Sequence, residues 1–568
     1  MGLHESARRK SVAVKDLGNI SKKRDIAPLR RLPVGAEVQA AGGVHFRVWA
    51  PRRKRVEILL EPAGGAHPPA AYELEPDTAG YFSGLLSDAA PGMLYRYRLD
   101  GEKAYPDPAS RFQPEGPHGP SQIVDPANFK WTDHGWSGIQ LASQVIYEMH
   151  VGTFTRQGTW AAAADELETL AELGITVLEV MPVADFTGSF GWGYDGVDLY
   201  APTRLYGTPD DFRRFVDRAH RAGLAVILDV VYNHFGPEGA YFTEFAAEYF
   251  TDRYTNEWGR SINFDGKNSA PVREFIVANA GYWIDEFHLD GLRLDATQQI
   301  FDATSPHVLA EITRCAREAS RGRKIIIIAE NEAQHVKLIE PVEQGGYGMD
   351  ALWNDDFHHT AVVAMTGRNE AYYSDYQGAP QEFVSAVKWG YLYQGQYYSW
   401  QKQRRGTPTF GIPPAGFITF IQNHDQIANS GLGLRLHRLT SPGRYRAITA
   451  LLLLGPGTPM LFQGQEFASS SRFLFFADHQ PELAAAVCQG RAEFLSQFRS
   501  LATPEMQQIL PDPADRETFE RCKLDLSQRE SHGEVYALHC DLLRMRKEYA
   551  AFASQQRGMV DGAVLGPE

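Results

Sequence analysis

The chain has 568 residues, enough for two or three domains, and its 43% hydrophobic and 22% charged residues exclude the disordered and fibrous classes. A formal net charge of −14 excludes the basic surface on which nucleic-acid binding depends. Four cysteines, Cys315, Cys488, Cys522 and Cys540, show no C-x-x-C spacing, which argues against a disulfide framework or zinc site and for reduced thiols in a cytoplasmic protein.

Residues 1–32 are basic, with Arg8, Arg9, Lys10, Lys22, Lys23, Arg24, Arg30 and Arg31, and no apolar stretch follows them. They read as a disordered tail and not as a signal peptide. Residues 33–123 read as a small β-sandwich. His45–Ala50, Val56–Leu60 and Tyr95–Leu99 are short, rich in Val and aromatics, and bounded by Gly, Pro and Asp. The strand-like part runs from about Gly35 to Gly101, and an ordered connector continues to about Gly138, marked by Pro106, Pro108, Pro114, Pro117 and Pro120.

From Gln144 onward, short apolar runs alternate with helical patterns. Val145–His150, Val177–Met181, Ala225–Val230, Gly291–Asp295, Lys324–Glu330, Phe417–Asn423 and Pro459–Phe462 are the strand candidates. Ala161–Leu173 is amphipathic, and Gly174 can end it. Thr208, Pro209, Asp210 and Asp211 open another helix, whose apolar residues Phe212, Phe215, Val216 and Ala219 share one face. Such alternation implies a parallel sheet, either doubly wound or closed. Carboxylates close or follow at least four strand candidates, which favours a TIM (β/α)8 barrel over residues 124–500, because there the strand ends converge on one face. Residues 501–568 read as a helical C-terminal extension. The most apolar stretch, Ala447–Phe462, is broken by Gly455, Pro456, Gly457 and Pro459, and falls short of the ~20 residues of a membrane span. No membrane partner is expected.

Arg293 and Asp295 lie two apart on one strand and so face the same way. The guanidinium is expected to lower the pKa of Asp295 and keep it ionised, as a glycosyl nucleophile requires. Glu330 ends the run Ile325–Ala329, where apolar surroundings are expected to raise its pKa and keep it protonated, as a general acid requires. One carboxylate held ionised and one protonated is the division of labour of glycoside hydrolysis. Asp425 can grip sugar hydroxyls and His424 can bond one. Asp229 can orient Arg293, His234 can contact the sugar, and Tyr194 in its glycine-rich loop can stack on it. The segment Trp353–His359 carries Asp355, Asp356, Phe357, His358 and His359. Read as extended, it points its two histidines opposite ways, so hydrogen bonding to sugar is expected and metal binding is not. Neither metal nor organic cofactor is expected, and no P-loop or dinucleotide fingerprint occurs.

Together, Asp229–His234, Gly291–Asp295, Ala329–Glu330 and Asn423–Asp425 resemble the four signature regions of the α-amylase clan, glycoside hydrolase family 13. The resemblance implies Asp295 as nucleophile, Glu330 as acid/base and Asp425 as transition-state stabiliser. Tyr194, Asp229, His234, Arg293 and His424 match sugar-binding and supporting positions. Within the clan, Tyr147–Phe154, Phe190–Gly196, Asn233–Gly239, Trp353–His359 and Gln422–Gln426 resemble the maltooligosyltrehalose trehalohydrolases. That family implies an immunoglobulin-like N-terminal β-sandwich, a catalytic barrel and a C-terminal β-domain. The chain stops about where the last would begin, so this domain is expected to be missing, by absence or truncation. Gln298 stands where the family often has His, and Ile427–Ser430 departs from Ile/Val-Gly-Asn-Arg. Gln298, Gln426 and Asn429 therefore join the candidate substrate contacts.

The implied reaction is retaining hydrolysis of the α-1,4 bond next to the terminal trehalose of maltooligosyltrehalose. It calls for carboxyl groups ~5–5.5 Å apart, against ~6.5–9.5 Å for inversion. A 1,4-α-glucan branching enzyme shares the carboxylates and differs in its acceptor. A non-catalytic glucan-binding protein would not need all three.

Overall fold

The computed structural model describes residues 30–61 and 69–566. Eight parallel strands close a barrel in strict chain order: β1 (Ile146–Met149), β2 (Val177–Val180), β3 (Ala225–Val230), β4 (Gly291–Leu294), β5 (Ile326–Ala329), β6 (Ala351–Trp353), β7 (Phe417–Thr419) and β8 (Thr458–Phe462). β8 returns to β1 with Met460 opposite Ile146. Nearly every residue of these strands is buried, as expected where helices cover the outside and side chains fill the inside. That double burial is why the strands read as unbroken apolar runs.

β6 has no counterpart among the strand candidates. It is three residues long and carries no alternation or β-branched run. Phe417–Asn423 is strand only to Thr419, because Asn423 instead caps the helix His424–Ala428, its Oδ1 accepting from the Gln426 N–H at 2.9 Å. The extended reading of Trp353–His359 is also corrected. A helix runs over Asp355–Thr366, with Asn354 as its cap and two acids in its first turn. The amphipathic stretch Ala161–Leu173 forms two short helices, Trp160–Ala164 and Leu167–Leu173. Between them Asp165 and Glu166 donate only three residues back, and Gly174 ends the second in the left-handed conformation.

The barrel's amino-terminal end is plugged. Ile146, Val177, Ala225, Ile326, Ile418 and Met460 pack inside it, and Trp136, Ile139 and Leu141 of the connector close the cluster. Gly138 bridges Lys324 there with φ +76°, and a β-carbon on it would lie 1.9 Å from the Lys324 carbonyl oxygen. At the other terminus of the chain, the helix Gly533–Glu548 packs on Pro442–Leu454. Its Arg546 donates to the Leu453, Gly455 and Gly457 carbonyls at 2.9, 2.6 and 2.7 Å, capping that helix just before β8.

Ahead of the barrel, two antiparallel sheets form a β-sandwich. One centres on Val44–Trp49 and Tyr81–Leu86, the other on Val56–Glu61 and Leu94–Leu99. Its core holds Phe46, Ile58, Tyr95 and Tyr97. Most of the basic tail lies outside the described residues, but Arg30 and Arg31 do not behave as tail. Arg30 donates to the Leu32, Gly35 and His45 carbonyls at 3.0, 2.9 and 2.9 Å, and Arg31 bonds Glu37 and, across to the barrel, Glu286 at 2.9 Å. Backbone acceptors and buried acids hold them where composition alone reads disorder. Among the described residues, no helix is long and apolar enough to cross a membrane.

Candidate active site

The carboxyl ends of β3, β4 and β5 bring three acids to one guanidinium. Arg293 is fully buried on β4, and its guanidinium lies 4.0 Å from the centre of the Trp353 ring at the end of β6. Its Nη1 donates to Asp229 Oδ2 at 2.6 Å and to Asp295 Oδ1 at 2.8 Å. Its Nη2 lies 2.9 Å from Glu330 Oε2, an ion pair by distance without hydrogen-bond alignment. Asp295 and Glu330 thus hang side by side on the two terminal nitrogens of one group. The second oxygen of Asp295 accepts from Asn233 Nδ2 at 2.8 Å. Glu330 Oε2 accepts from the Ala296 N–H at 2.9 Å, which is aimed at it by a left-handed turn at Ala296, φ +38°.

Electrostatics divide the acids, though not as the sequence suggests. Burial pushes Glu330 up to about 7, with Arg293 pulling the other way and the charges of Asp295 and Asp425 adding to the rise. Arg293 was expected to leave Asp295 below the usual carboxylate range. Burial outweighs it, and Asp295 is shifted upward as well. Asp229 is also raised, chiefly by burial, against the pull of Arg293 and Tyr194. One guanidinium shared among three buried acids cannot fully offset the desolvation of each.

Asp425 sits in the first turn of the helix His424–Ala428 with 44% of its side chain exposed, at the open side of the group. Tyr194 donates to Asp229 Oδ2 at 2.6 Å, contacts His424 Nε2 at 2.9 Å, and stacks on the His424 ring with centroids 5.2 Å apart. Its loop needs Gly193, since a β-carbon there would meet the Pro182 carbonyl oxygen at 2.0 Å. His234 bonds Asn233 and stacks on Trp258, and burial pulls its pKa down to about 4, so it is neutral.

The helix Asp355–Thr366 scatters its candidates. Asp355 faces Arg405 at 3.7 Å, and burial raises it to about 7, with Glu330 among the charges acting on it. Asp356 is fully buried and already engaged. It accepts from the Tyr376 hydroxyl at 2.6 Å and from the Leu392 and Tyr393 N–H groups at 2.6 and 2.9 Å. Phe357 belongs to the main core, beside Phe383. His358 and His359 are buried with their Nδ1 atoms 3.1 Å apart, and burial lowers both pKa values. Gln298 accepts from the Glu332 N–H at 3.3 Å. Gln426 accepts from the hydroxyls of Tyr372 and Tyr373 at 3.0 and 2.8 Å, and Asn429 links Tyr372 to Arg491.

Several residues at the site escaped the sequence reading. Asn233 lies in the Asp229–His234 segment, 62 residues from the acid it holds, Asp295. Arg405, Arg491 and Tyr372 come from segments with no motif. Glu148 on β1 bonds His424, 276 residues away, a pairing no local pattern reveals. Among the described residues, no group of three or more His, Cys, Asp or Glu side chains is placed to hold a metal ion.

Comparison with known proteins agrees with this architecture. The family described as alpha amylase, catalytic domain, matches residues 123–273, and carbohydrate-binding module 48 (isoamylase N-terminal domain) matches residues 33–124. The malto-oligosyltrehalose trehalohydrolase of Deinococcus radiodurans is 40% identical, covering 94% of this chain and 86% of that one. The protein of the same name from Saccharolobus solfataricus is 38% identical, over 92% and 88%. A crystal structure of a candidate alpha amylase from Salmonella typhimurium superposes with a TM-score of 0.86 at 41% identity, covering 94% of this chain and 90% of that one. A pullulanase from Anoxybacillus, 20% identical with a TM-score of 0.66, shares the fold. With such identity sustained over most of both chains, the protein belongs to the malto-oligosyltrehalose trehalohydrolase family, glycoside hydrolases built on an α-amylase catalytic domain.

Proposed function

We propose that the protein releases trehalose from maltooligosyltrehalose by retaining hydrolysis of the adjacent α-1,4 bond. The observation that carries this reading is the pair of acids on Arg293: Glu330, raised to about 7, and Asp295, bonded on both its oxygens. Asp295 attacks the anomeric carbon while Glu330 protonates the departing oxygen. Glu330, now a base, takes a proton from water as it frees the glycosyl group from Asp295. Asp425, at the open side, grips sugar hydroxyls as the ring flattens. Tyr194, Asp229, His234, Arg293 and His424 form the floor of the reacting subsite. Asp355, Gln298, Gln426 and Asn429 border it from neighbouring turns, whereas Asp356, Phe357, His358 and His359 shape it through packing. Covalent catalysis by two carboxyls calls for no metal or organic cofactor. The names of the relatives support the trehalose end as the specific feature of an α-glucan substrate. The four unpaired cysteines suit a reducing, cytoplasmic setting.

Incubation with maltooligosyltrehalose and identification of the products tests the reading. Free trehalose supports it. Longer branched glucan would make the protein a transferase, and binding without product would make it a glucan-binding protein.

A further inference from the structure

The hydrolytic steps give Glu148 no bond to make or break. It is 1% exposed on β1, yet both of its oxygens turn to one residue. Oε1 meets Nδ1 of His424, and Oε2 accepts from the His424 backbone N–H at 3.2 Å. A carboxylate from the first strand of the barrel therefore holds both the ring and the turn that carries Asp425.

The other ring nitrogen fixes the charge. Tyr194 has one hydroxyl proton, and its 2.6 Å bond to Asp229 Oδ2 uses it. That Oδ2 also accepts from the charged Arg293 guanidinium at 2.6 Å, which favours the proton-free carboxylate there. The Tyr194 oxygen is left as an acceptor 2.9 Å from Nε2 of His424, which must donate. Nδ1 faces the Glu148 carboxylate and donates too. An imidazole ring with two N–H donors is an imidazolium. We infer that Glu148 is the counter-ion of a constantly charged His424, a positioning residue that locks the His424–Asp425 turn beneath the sugar.

The surroundings agree. Arg293 faces His424 from β4, Tyr194 and Trp192 from the loop after β2, and Trp353 from the end of β6, while Asp425 stands 3.5 Å from Nε2. Burial opposes charge on the ring, as does Arg293; Asp425 and Glu148 outweigh them and lift it to about 9. Glu179 lies beside Glu148 in register on β2, with both oxygens buried and unpartnered. Burial, then the charge of Glu148, pushes Glu179 well above the usual carboxylate range. The result is a fixed positive charge beside Asp425 that does not depend on substrate.

The charge is argued from the hydrogen bonds around the ring, while its consequence for turnover rests on the proposed hydrolysis. The test separates the two. Protein labelled with 15N-histidine, with the His424 resonances identified by their loss in His424→Gln, reports the protonation of each ring nitrogen. Both are expected to be protonated from pH 6 to 8 in the wild type, and Glu148→Gln is expected to lose one by pH 7. In the same variant, checked for an unchanged melting profile, kcat at pH 8 is expected to fall about tenfold against wild type and to converge with it near pH 5.5. A neutral His424 ring in the wild type at pH 7 overturns the inference, with or without a folded variant. So does an imidazolium that persists unchanged in Glu148→Gln. The spectrum reads the ring whether or not trehalose is released.

Discussion

The raised pKa of Glu330 predicts the alkaline edge of activity. An ordinary glutamate at pH 7 is protonated in roughly one molecule in three hundred, whereas a carboxyl at about 7 is protonated in half. That difference corresponds to about 3 kcal/mol in favour of the acid form, supplied mainly by desolvation. The first chemical step needs that proton, so kcat/KM is expected to bend near pH 7 and to fall tenfold per unit above it. Glu330→Gln removes the proton and should all but stop turnover of maltooligosyltrehalose. A maltooligosyl fluoride, whose leaving group needs no protonation, should restore formation of the glycosyl-enzyme in that variant, and the bend should vanish. The assay is fluoride release in single turnover across pH 5 to 9. If the bend near pH 7 survives in Glu330→Gln with the fluoride, another group causes it and the assignment of Glu330 as acid is wrong.

Further outcomes follow from the same interactions. A carboxyl raised on folding destabilises the native state once it ionises, so stability is lost as pH climbs from about 4.5 to about 7. Glu330→Gln should match wild type near pH 4 and exceed it by up to about 3 kcal/mol at pH 8, read from thermal unfolding. Asp295→Asn should lower kcat about 10⁴-fold with the fold intact, and substantial residual turnover would exclude it as nucleophile. Asp356→Asn can keep a carbonyl for the two N–H donors but sets its amide against the Tyr376 hydroxyl and removes the charge facing Arg405, so it should cost about 2 kcal/mol while KM holds; a large rise in KM without unfolding would return Asp356 to the sugar site. His220 lies between Asp133 and Asp290, 2.9 Å from each. Burial lowers its pKa, but the two acids more than reverse this, leaving it raised. Its stabilising effect is therefore complete below about 6.5 and lost as pH rises through the folded value, so His220→Gln should cost about 3 kcal/mol at pH 6 and less at pH 9.

Legibility followed burial. Strands covered on both faces announce themselves as apolar runs, and Ile325–Ala329 led directly to Glu330. β6 gave no such run because three residues suffice where its neighbours complete the barrel. Asn354 with Asp355 and Asp356 behind it is a helix-start signal, but the same acids beside two histidines read equally as a sugar-binding cluster on an extended segment. Asp295 shows a different limit. Its arginine neighbour is visible in sequence, but the desolvation that outweighs it depends on strands hundreds of residues apart. Glu148 shows the same limit, since nothing beside it in the chain names His424.

The plug of Trp136, Ile139 and Leu141 beneath the barrel makes the polar chamber a cul-de-sac. Water and protons reach Glu148, Glu179 and Arg293 by the route the glucan takes, because the floor below them is hydrocarbon. The water that frees the proposed glycosyl-enzyme must therefore enter from the same side, and Glu330 exchanges its proton with that side at each step of the proposed cycle.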